Sequence, residues 1–226
     1  MRHIHPGALL LHLLYPNRCD CCLRPIPYRA LICTDCAAEI DSCRVTNDAW
    51  IKAAPGRTAP WAGSAAVCTY AGAAKAGILA MKDGGVNFVR YIAPELAGQV
   101  RLLCGEQLPD LVTWVPVTKR RRREQGYAHS ERLAKYTAAA LGLPVCGKLL
   151  TEEAGSLRQH SLPKHLREQY ADRFRHTDVR LDGKTVLLCD DVLTTGSTLM
   201  RCTQQLCEAG AEKVYAAVIA YRIKES

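Results

Sequence analysis

Long apolar runs are missing from this chain of 226 residues. No stretch reaches the roughly 18 residues that a membrane-spanning helix needs, so no membrane span is expected. The most apolar segment near the start, Ala8 to Leu14 (ALLLHLL), is short and interrupted by His12, and no small-residue cleavage site follows it before the first cysteines. It reads as the stripe of a short docking helix, not as a signal peptide or an anchor. Aromatics are scarce as well, at 6%. A run of ring side chains on which successive bases could stack is therefore thin, with only Tyr127 and Tyr136 close to the main basic segment. Gly and Pro are not in excess and no internal repeat is found, which excludes low-complexity and repeat architectures. A Walker phosphate loop is excluded too, because no Gly-Lys-Ser/Thr ending occurs.

What is present is an ordinary globular composition, 48% hydrophobic and 23% charged. The length suits one medium domain with a small appendage, or one large domain. The formal charge is +8, and much of it sits in the run Lys119, Arg120, Arg121, Arg122 and Arg123. Such a run favours anionic partners such as nucleic acid, pyrophosphate or a membrane surface, or is a solvated loop. Twelve cysteines is a high count. In a secreted protein they would be disulfides, and in a reducing compartment free thiols and metal ligands. With no signal peptide expected, the reading is a cytoplasmic protein with reduced thiols.

The pattern changes along the chain. Residues 15 to 60 carry Pro16, Pro25, Pro27, Pro55 and Pro60 and six of the cysteines, with little sustained periodicity. A small loop-rich module held by a metal suits this stretch better than an apolar core does. Beyond it, strands are expected at Ala65–Tyr70, Leu111–Val115, Thr185–Cys189 and Val214–Ala220. Helices are expected at Ala73–Lys82, Val89–Leu103, Tyr127–Leu141 (with Leu133, Tyr136 and Ala140 on one face) and Ser197–Ala209. Strands alternating with helices, and strands apolar on both faces, predict a parallel α/β sheet flanked by helices. The expected division is 1–58 for the metal module and 59–226 for the sheet domain.

The cysteines of the first part are spaced as two knuckles, Cys19-x-x-Cys22 and Cys33-x-x-Cys36. Four thiolates brought to one point match the tetrahedral preference of Zn²⁺, and four sulfurs leave no open catalytic position, so the zinc would be structural. Disulfides, a redox centre or an iron–sulfur cluster are the alternatives. Cys21 could compete for the site. The cysteines beyond residue 60 are scattered and read as buried thiols.

The strongest motif lies at Val186 to Thr198, VLLCDDVLTTGST. A strand delivers the chain to the carboxyl edge of the sheet, where ligands of such folds bind. The segment Thr194, Thr195, Gly196, Ser197, Thr198 can turn sharply and aim backbone N–H groups and hydroxyls at one phosphate. The helix that follows puts its positive end beneath the same anion. The paired carboxylates Asp190 and Asp191 suit the vicinal hydroxyls of a sugar, or waters around a divalent cation. The bland alternative is a plain strand–turn–helix with Ser197 as N-cap.

This stretch resembles the signature with which type I phosphoribosyltransferases bind 5-phosphoribosyl-1-pyrophosphate (PRPP). The resemblance implies that Asp190 and Asp191 hold the ribose 2- and 3-hydroxyls, that Thr194 to Thr198 cradle the 5-phosphate, and that Mg²⁺ accompanies the ligand. Taken with Val115-Pro-Val-Thr118, Arg120 to Arg123, Gly126-Tyr127 and Leu133-Ala134, the chain is similar to the ComF/GntX family (competence protein F), amidophosphoribosyltransferase-like proteins with an N-terminal zinc module. Leu79 to Gly84 resembles that family's L-K-x-x-G, and Gln159, Leu162, Arg167 and Phe174 a second element. Gln125, Ala128–His129 and Tyr170 stand where the family has Arg, Asn-Gln and Asn. Cys43 is then a remnant of a further Cys pair.

The resemblance implies a type I phosphoribosyltransferase fold and a part in DNA uptake during natural transformation, handling single-stranded DNA beside other DNA-uptake proteins. Pyrophosphate needs cations and donors beyond Mg²⁺. Val117 and Thr118 of the VPVT loop, Lys82, Arg123, Gln159 and Arg167 are the candidates, the last two in a polar segment from about Thr151 to Arg173 suited to a flap. Lys119, Arg120, Arg121 and Arg122 are candidates for nucleic-acid phosphates. No dedicated catalytic acid or base stands out, and phosphoribosyl transfer can proceed on positioning and charge. A metabolic phosphoribosyltransferase of nucleotide salvage or synthesis, and a non-catalytic PRPP sensor, are the competing functions.

Overall fold

The computed structural model describes residues 16–45, 60–117, 128–152 and 174–222. A four-stranded parallel sheet forms its centre. The strands are β1 (Gly63–Thr69), β2 (Leu111–Trp114), β5 (Thr185–Leu193) and β6 (Lys213–Tyr221), in the spatial order β1-β6-β5-β2. The inner strands β5 and β6 are buried on both faces along most of their length, which is why they read as continuous apolar runs. Helices α2 (Gly72–Lys82), α3 (Asn87–Cys104), α4 (His129–Leu141) and α5 (Ser197–Glu208) flank it. Helix α3 shows how the covering works. Phe88, Val89, Ile92, Ala93, Leu96, Ala97 and Val100 repeat at helical spacing and are all buried. Phe88, Ile92 and Leu96 are fully inaccessible.

The expected parallel α/β sheet flanked by helices is present, with four corrections of detail. First, β5 continues through Leu193, so Asp190 and Asp191 lie inside the strand and not after it. Second, the buried stripe of α4 is Leu133, Ala134, Thr137, Ala138 and Leu141, while Tyr136 is 39% exposed. A tyrosine can turn its hydroxyl to water at the edge of a helix stripe, and the tightly covered stripe selects smaller side chains. Third, a helix α1 (Thr34–Ser42) stands in the stretch expected to be irregular. Fourth, Leu150–Glu152 (β3) and Phe174–His176 (β4) form a separate antiparallel pair, so Thr151, expected at the start of a flap, is paired with Arg175.

The register sets up the site. Trp114 of β2 is the partner of Cys189, and Val115 N–H donates to the Cys189 carbonyl at 3.0 Å. The chain leaving β2 therefore starts beside the Asp190–Asp191 pair at the carboxyl end of β5. The proposed module boundary at residue 58, the Ala8–Leu14 stripe and most of the flap fall outside the described residues. Among the described residues, no helix is long and apolar enough to cross a membrane.

Candidate functional site

Both carboxylates of β5 are fixed by the backbone next to them. Asp190 Oδ1 accepts from Asp191 N–H at 2.9 Å, and Asp191 Oδ1 accepts from Val192 N–H at 2.8 Å. The second oxygen of Asp191 faces a lysine and a histidine. Lys82 Nζ lies at 2.6 Å and His129 Nε2 at 3.7 Å. Lys82 is the last residue of α2 and His129 the first of α4, so two helices on different parts of the chain end on one carboxylate. Burial, and then the charge of Asp191, push the Asp190 carboxyl well above its ordinary range, against the pull of the Asp191 N–H and, after it, of Lys82.

These groups line a pocket of about 290 Å³. Around it, among the described residues, stand Lys82, Val115, Pro116, Val117, His129, Ser130, Glu152, Phe174, Asp190, Asp191 and Thr198. The loop after β2 is tied down from α4, because the buried Ser130 hydroxyl donates to the Val115 carbonyl at 2.8 Å. Asp190, Asp191, Thr198, Lys82 and Val117, picked from distant parts of the sequence, are thus gathered in one place.

The turn that follows β5 ends on Gly196, which has φ +73 and caps α5, so Ser197 and Thr198 already belong to the helix. That left-handed backbone favours glycine, and an added Cβ would lie 3.1 Å from the Trp61 ring. The cap is Gly196 and not Ser197, so no side chain of the capping residue covers the first N–H groups of the helix. The hydroxyls of Thr195 and Ser197 lie 3.0 Å apart. A compact cluster of donors therefore sits over the positive end of α5. Thr118, Lys119, Arg120, Arg121, Arg122, Arg123, Gln159 and Arg167 lie outside the described residues.

Two residues of the pocket carry chemistry that sequence reasoning did not assign. His129 enters only because α4 begins beside Asp191, and its sole signal was a departure from a family pattern. Glu152 enters because β3 pairs with β4, which no three-residue periodicity announces.

The four predicted metal ligands are also brought together. The sulfurs of Cys19, Cys22, Cys33 and Cys36 lie within 4.8 Å of one another. Cys22 Sγ and Cys33 Sγ are 3.7 Å apart, close to the ~3.8 Å between ligands of a tetrahedral zinc with ~2.3 Å bonds. Donors surround the cluster. Cys33 N–H points at Cys19 Sγ, Cys36 N–H at Cys33 Sγ and Arg24 Nε at Cys22 Sγ, each at 3.4 Å. The Arg24 hydrogen bond is the main cause that lowers the Cys22 thiol to about 6. Burial pushes Cys36 up, and a bound dication reverses that effect for a ligand thiol. Cys21 is outside the group of four, and burial raises it as well.

Residues 72–226 match the family described as the phosphoribosyl transferase domain. The DNA utilization protein YhgH of Salmonella typhimurium is 25% identical over 201 residues, covering 87% of this chain and 86% of that protein. The YhgH protein of Shigella flexneri is 30% identical over 114 residues, half of each chain. Among solved structures, the glutamine PRPP amidotransferase from B. subtilis complexed with ADP and GMP is 24% identical with a TM-score of 0.41, covering 62% of this chain and 26% of that one. The chain belongs to the phosphoribosyl transferase domain family and is related over most of its length to the YhgH proteins.

Proposed function

We propose that this protein binds PRPP with Mg²⁺ in the pocket at the carboxyl ends of β2 and β5, and acts in the cytoplasm in DNA uptake. One observation carries the reading: Asp190, Asp191, Thr198, Lys82 and Val117 line a single pocket beside the N-terminus of α5. Asp190 and Asp191 would face the ribose hydroxyls, and the Thr194–Thr198 turn the 5-phosphate. The space between Lys82, the Val115–Val117 loop and the start of α4 would take the pyrophosphate. The donor set is all-oxygen at the carboxylates, which suits a hard cation that keeps most of its waters. Bound Mg²⁺ would neutralise part of the pyrophosphate charge. The chain's own residues orient the sugar, hold the phosphate and present Lys82 to the remaining charge.

The DNA-related part of the reading rests on the name of the YhgH relatives, on the charge of +8 and on the run Lys119 to Arg123. Single-stranded DNA is the partner that such a run and an uptake role suggest. The four cysteines would hold a structural Zn²⁺.

Calorimetric titration with PRPP and Mg²⁺ tests the site, on the wild type and on Asp190→Asn/Asp191→Asn, with released pyrophosphate assayed alongside. The double variant should lose on the order of a hundredfold in affinity, since two charge-assisted contacts go. Pyrophosphate release on adding an acceptor would make the protein a transferase, and binding without release would make it a sensor. A wild type that fails to bind PRPP would overturn the reading.

A further inference from the structure

Helices α2 and α3 are capped at their N-termini from another part of the chain. Neither N-cap residue, Ala71 for α2 or Val86 for α3, supplies a side-chain cap. Both ends are instead capped from the cysteine-bearing segment. Glu39 Oε1 accepts from Ala73 N–H at 3.1 Å, in the first turn of α2. Asp20 Oδ2 accepts from Phe88 N–H at 2.8 Å, in the first turn of α3. The Asn87 side chain adds a second tie, donating to Asn17 Oδ1 at 2.9 Å and to the Arg18 carbonyl at 3.3 Å.

Each cap occupies space that a glycine leaves open. A Cβ on Gly72, which also has φ +47, would collide with Glu39 Oε1. A Cβ on Gly85 would lie 2.8 Å from Asp20 Oδ2. The capping residues are in turn held by the sulfur cluster. Asp20 lies between Cys19 and Cys22 in the first knuckle. Glu39 lies on α1, which starts on Cys33 as its N-cap and carries Cys36 in its first turn.

Lys82 sits between the two caps, at the end of α2, and the loop from Asp83 to Val86 joins it to the capped start of α3. From the other side Arg132 Nη1 donates to the carbonyls of Gly84 at 3.1 Å and Gly85 at 3.3 Å. Arg132 belongs to α4, the helix that begins with His129. The backbone behind Lys82 is thus clamped between the metal cluster and α4.

The geometry points to Asp20 and Glu39 as positioning residues for Lys82, through which metal occupancy of the four-cysteine cluster sets affinity for the pyrophosphorylated ligand. The inference rests on the PRPP reading for its ligand and on the proposed metal of the four-cysteine cluster for its coupling. With the cluster filled, the knuckle holds Asp20 against Phe88 N–H and Lys82 meets Asp191. With the metal gone, the knuckle that carries Asp20 loses its tie, the start of α3 loses its cap, and Lys82 is no longer held toward the pocket. A ligand with pyrophosphate needs that ammonium. Ribose 5-phosphate, which lacks pyrophosphate, depends on Asp190, Asp191 and the Thr194–Thr198 turn and is little affected.

The test compares wild type, Asp20→Ala and Asp20→Asn in the full chain. Three readouts are taken: zinc per chain, amide hydrogen exchange over residues 82–88, and affinity for Mg²⁺–PRPP and for ribose 5-phosphate. Asp20→Ala should keep its metal, speed exchange at Phe88 and the preceding loop by on the order of tenfold, and weaken PRPP by about tenfold, since a lost helix cap is of that size. Ribose 5-phosphate affinity should change by less than about twofold, and Asp20→Asn, which keeps an oxygen acceptor, should recover most of both effects. Chelation of the wild type should accelerate the same amides. Unchanged exchange at residues 84–88 in metal-loaded Asp20→Ala overturns the inference, and so does an equal loss of both ligands. If the wild type binds neither ligand, the PRPP reading falls, and exchange alone decides the coupling.

Discussion

The cysteine-bearing segment and the parallel sheet lie in one continuous buried cluster, yet they are held by different physics. The sheet is an apolar solid. Leu187, Leu188, Val218 and Ile219 have no accessible surface, and neither do Ile92 and Leu96 of the helix packed over it. The segment 16–45 buries only Cys19, Ile26, Ile32, Cys36 and Ile40 among its hydrophobic residues, and two of those five are predicted metal ligands. Three isoleucines cannot offset the ordering of such a stretch. Four converging sulfurs with N–H and guanidinium donors around them can, once a dication is bound. A region that lacks a core can thus still position polar groups well, as Asp20 and Glu39 do, provided that something other than apolar burial fixes the backbone.

The comparison breaks most sharply at the metal. Structural zinc in small modules is worth about 10–16 kcal/mol in apparent binding free energy at neutral pH, so Cys36→Ala or strong chelation should remove the ordered state of 16–45 altogether. Limited proteolysis should then cut within this segment while the sheet domain persists. If the segment stays protected without metal, burial carries it and the contrast is wrong. The matching perturbation on the other side is Leu187→Ala, in the fully buried middle of β5. It should cost about 2–5 kcal/mol in denaturant unfolding, and the folded variant should still carry its full metal content. Metal loss in that variant would show that the cluster depends on the sheet's packing as well as on its own ligands.

How much of this could be read from the sequence follows the same division. The β5 and β6 runs were legible because strands covered on both faces are apolar without alternation, and the strand–turn–helix around Thr194–Thr198 because small hydroxyl residues and a glycine follow the apolar run. The convergence of the four sulfurs was legible from spacing alone. Helix α1 was not, since its cap is a cysteine and its buried face amounts to Cys36 and Ile40. The β3–β4 pair was not, because three residues carry no period. His129 reaches Asp191, and Asp20 caps α3, only through the docking of one element on another, which local pattern does not encode. Tyr136 failed for the opposite reason: its spacing fitted the stripe, but the packed face selects the smaller Ala134, Thr137 and Ala138.

The smallest expected effect separates stability from function within the sheet itself. Asp190 is held above its ordinary value of 3.8, chiefly by burial and then by the charge of Asp191, with the Asp191 N–H and then Lys82 working against the rise. Its native pKa is raised relative to the unfolded chain, so the native state binds the extra proton. The stability from that protonation is complete below the ordinary carboxylate value and is lost as pH rises through the raised native value. Above that raised value the ionised Asp190 opposes folding. Asp190→Asn removes a charge that burial disfavours and keeps the shape and the Oδ1 acceptor for Asp191 N–H. Without ligand it should melt about 2–4 °C above the wild type near pH 7. The gain should shrink as pH falls through the raised native value, where the wild-type carboxyl takes up its proton. The same variant should bind PRPP more weakly, because the ribose hydroxyls lose a charged acceptor. A variant that melts lower at neutral pH, or a gain that grows as pH falls, would mean that Lys82 and the backbone N–H compensate the charge in full. Asp190 would then be a structural residue, and the strain would not be one that ligand binding relieves.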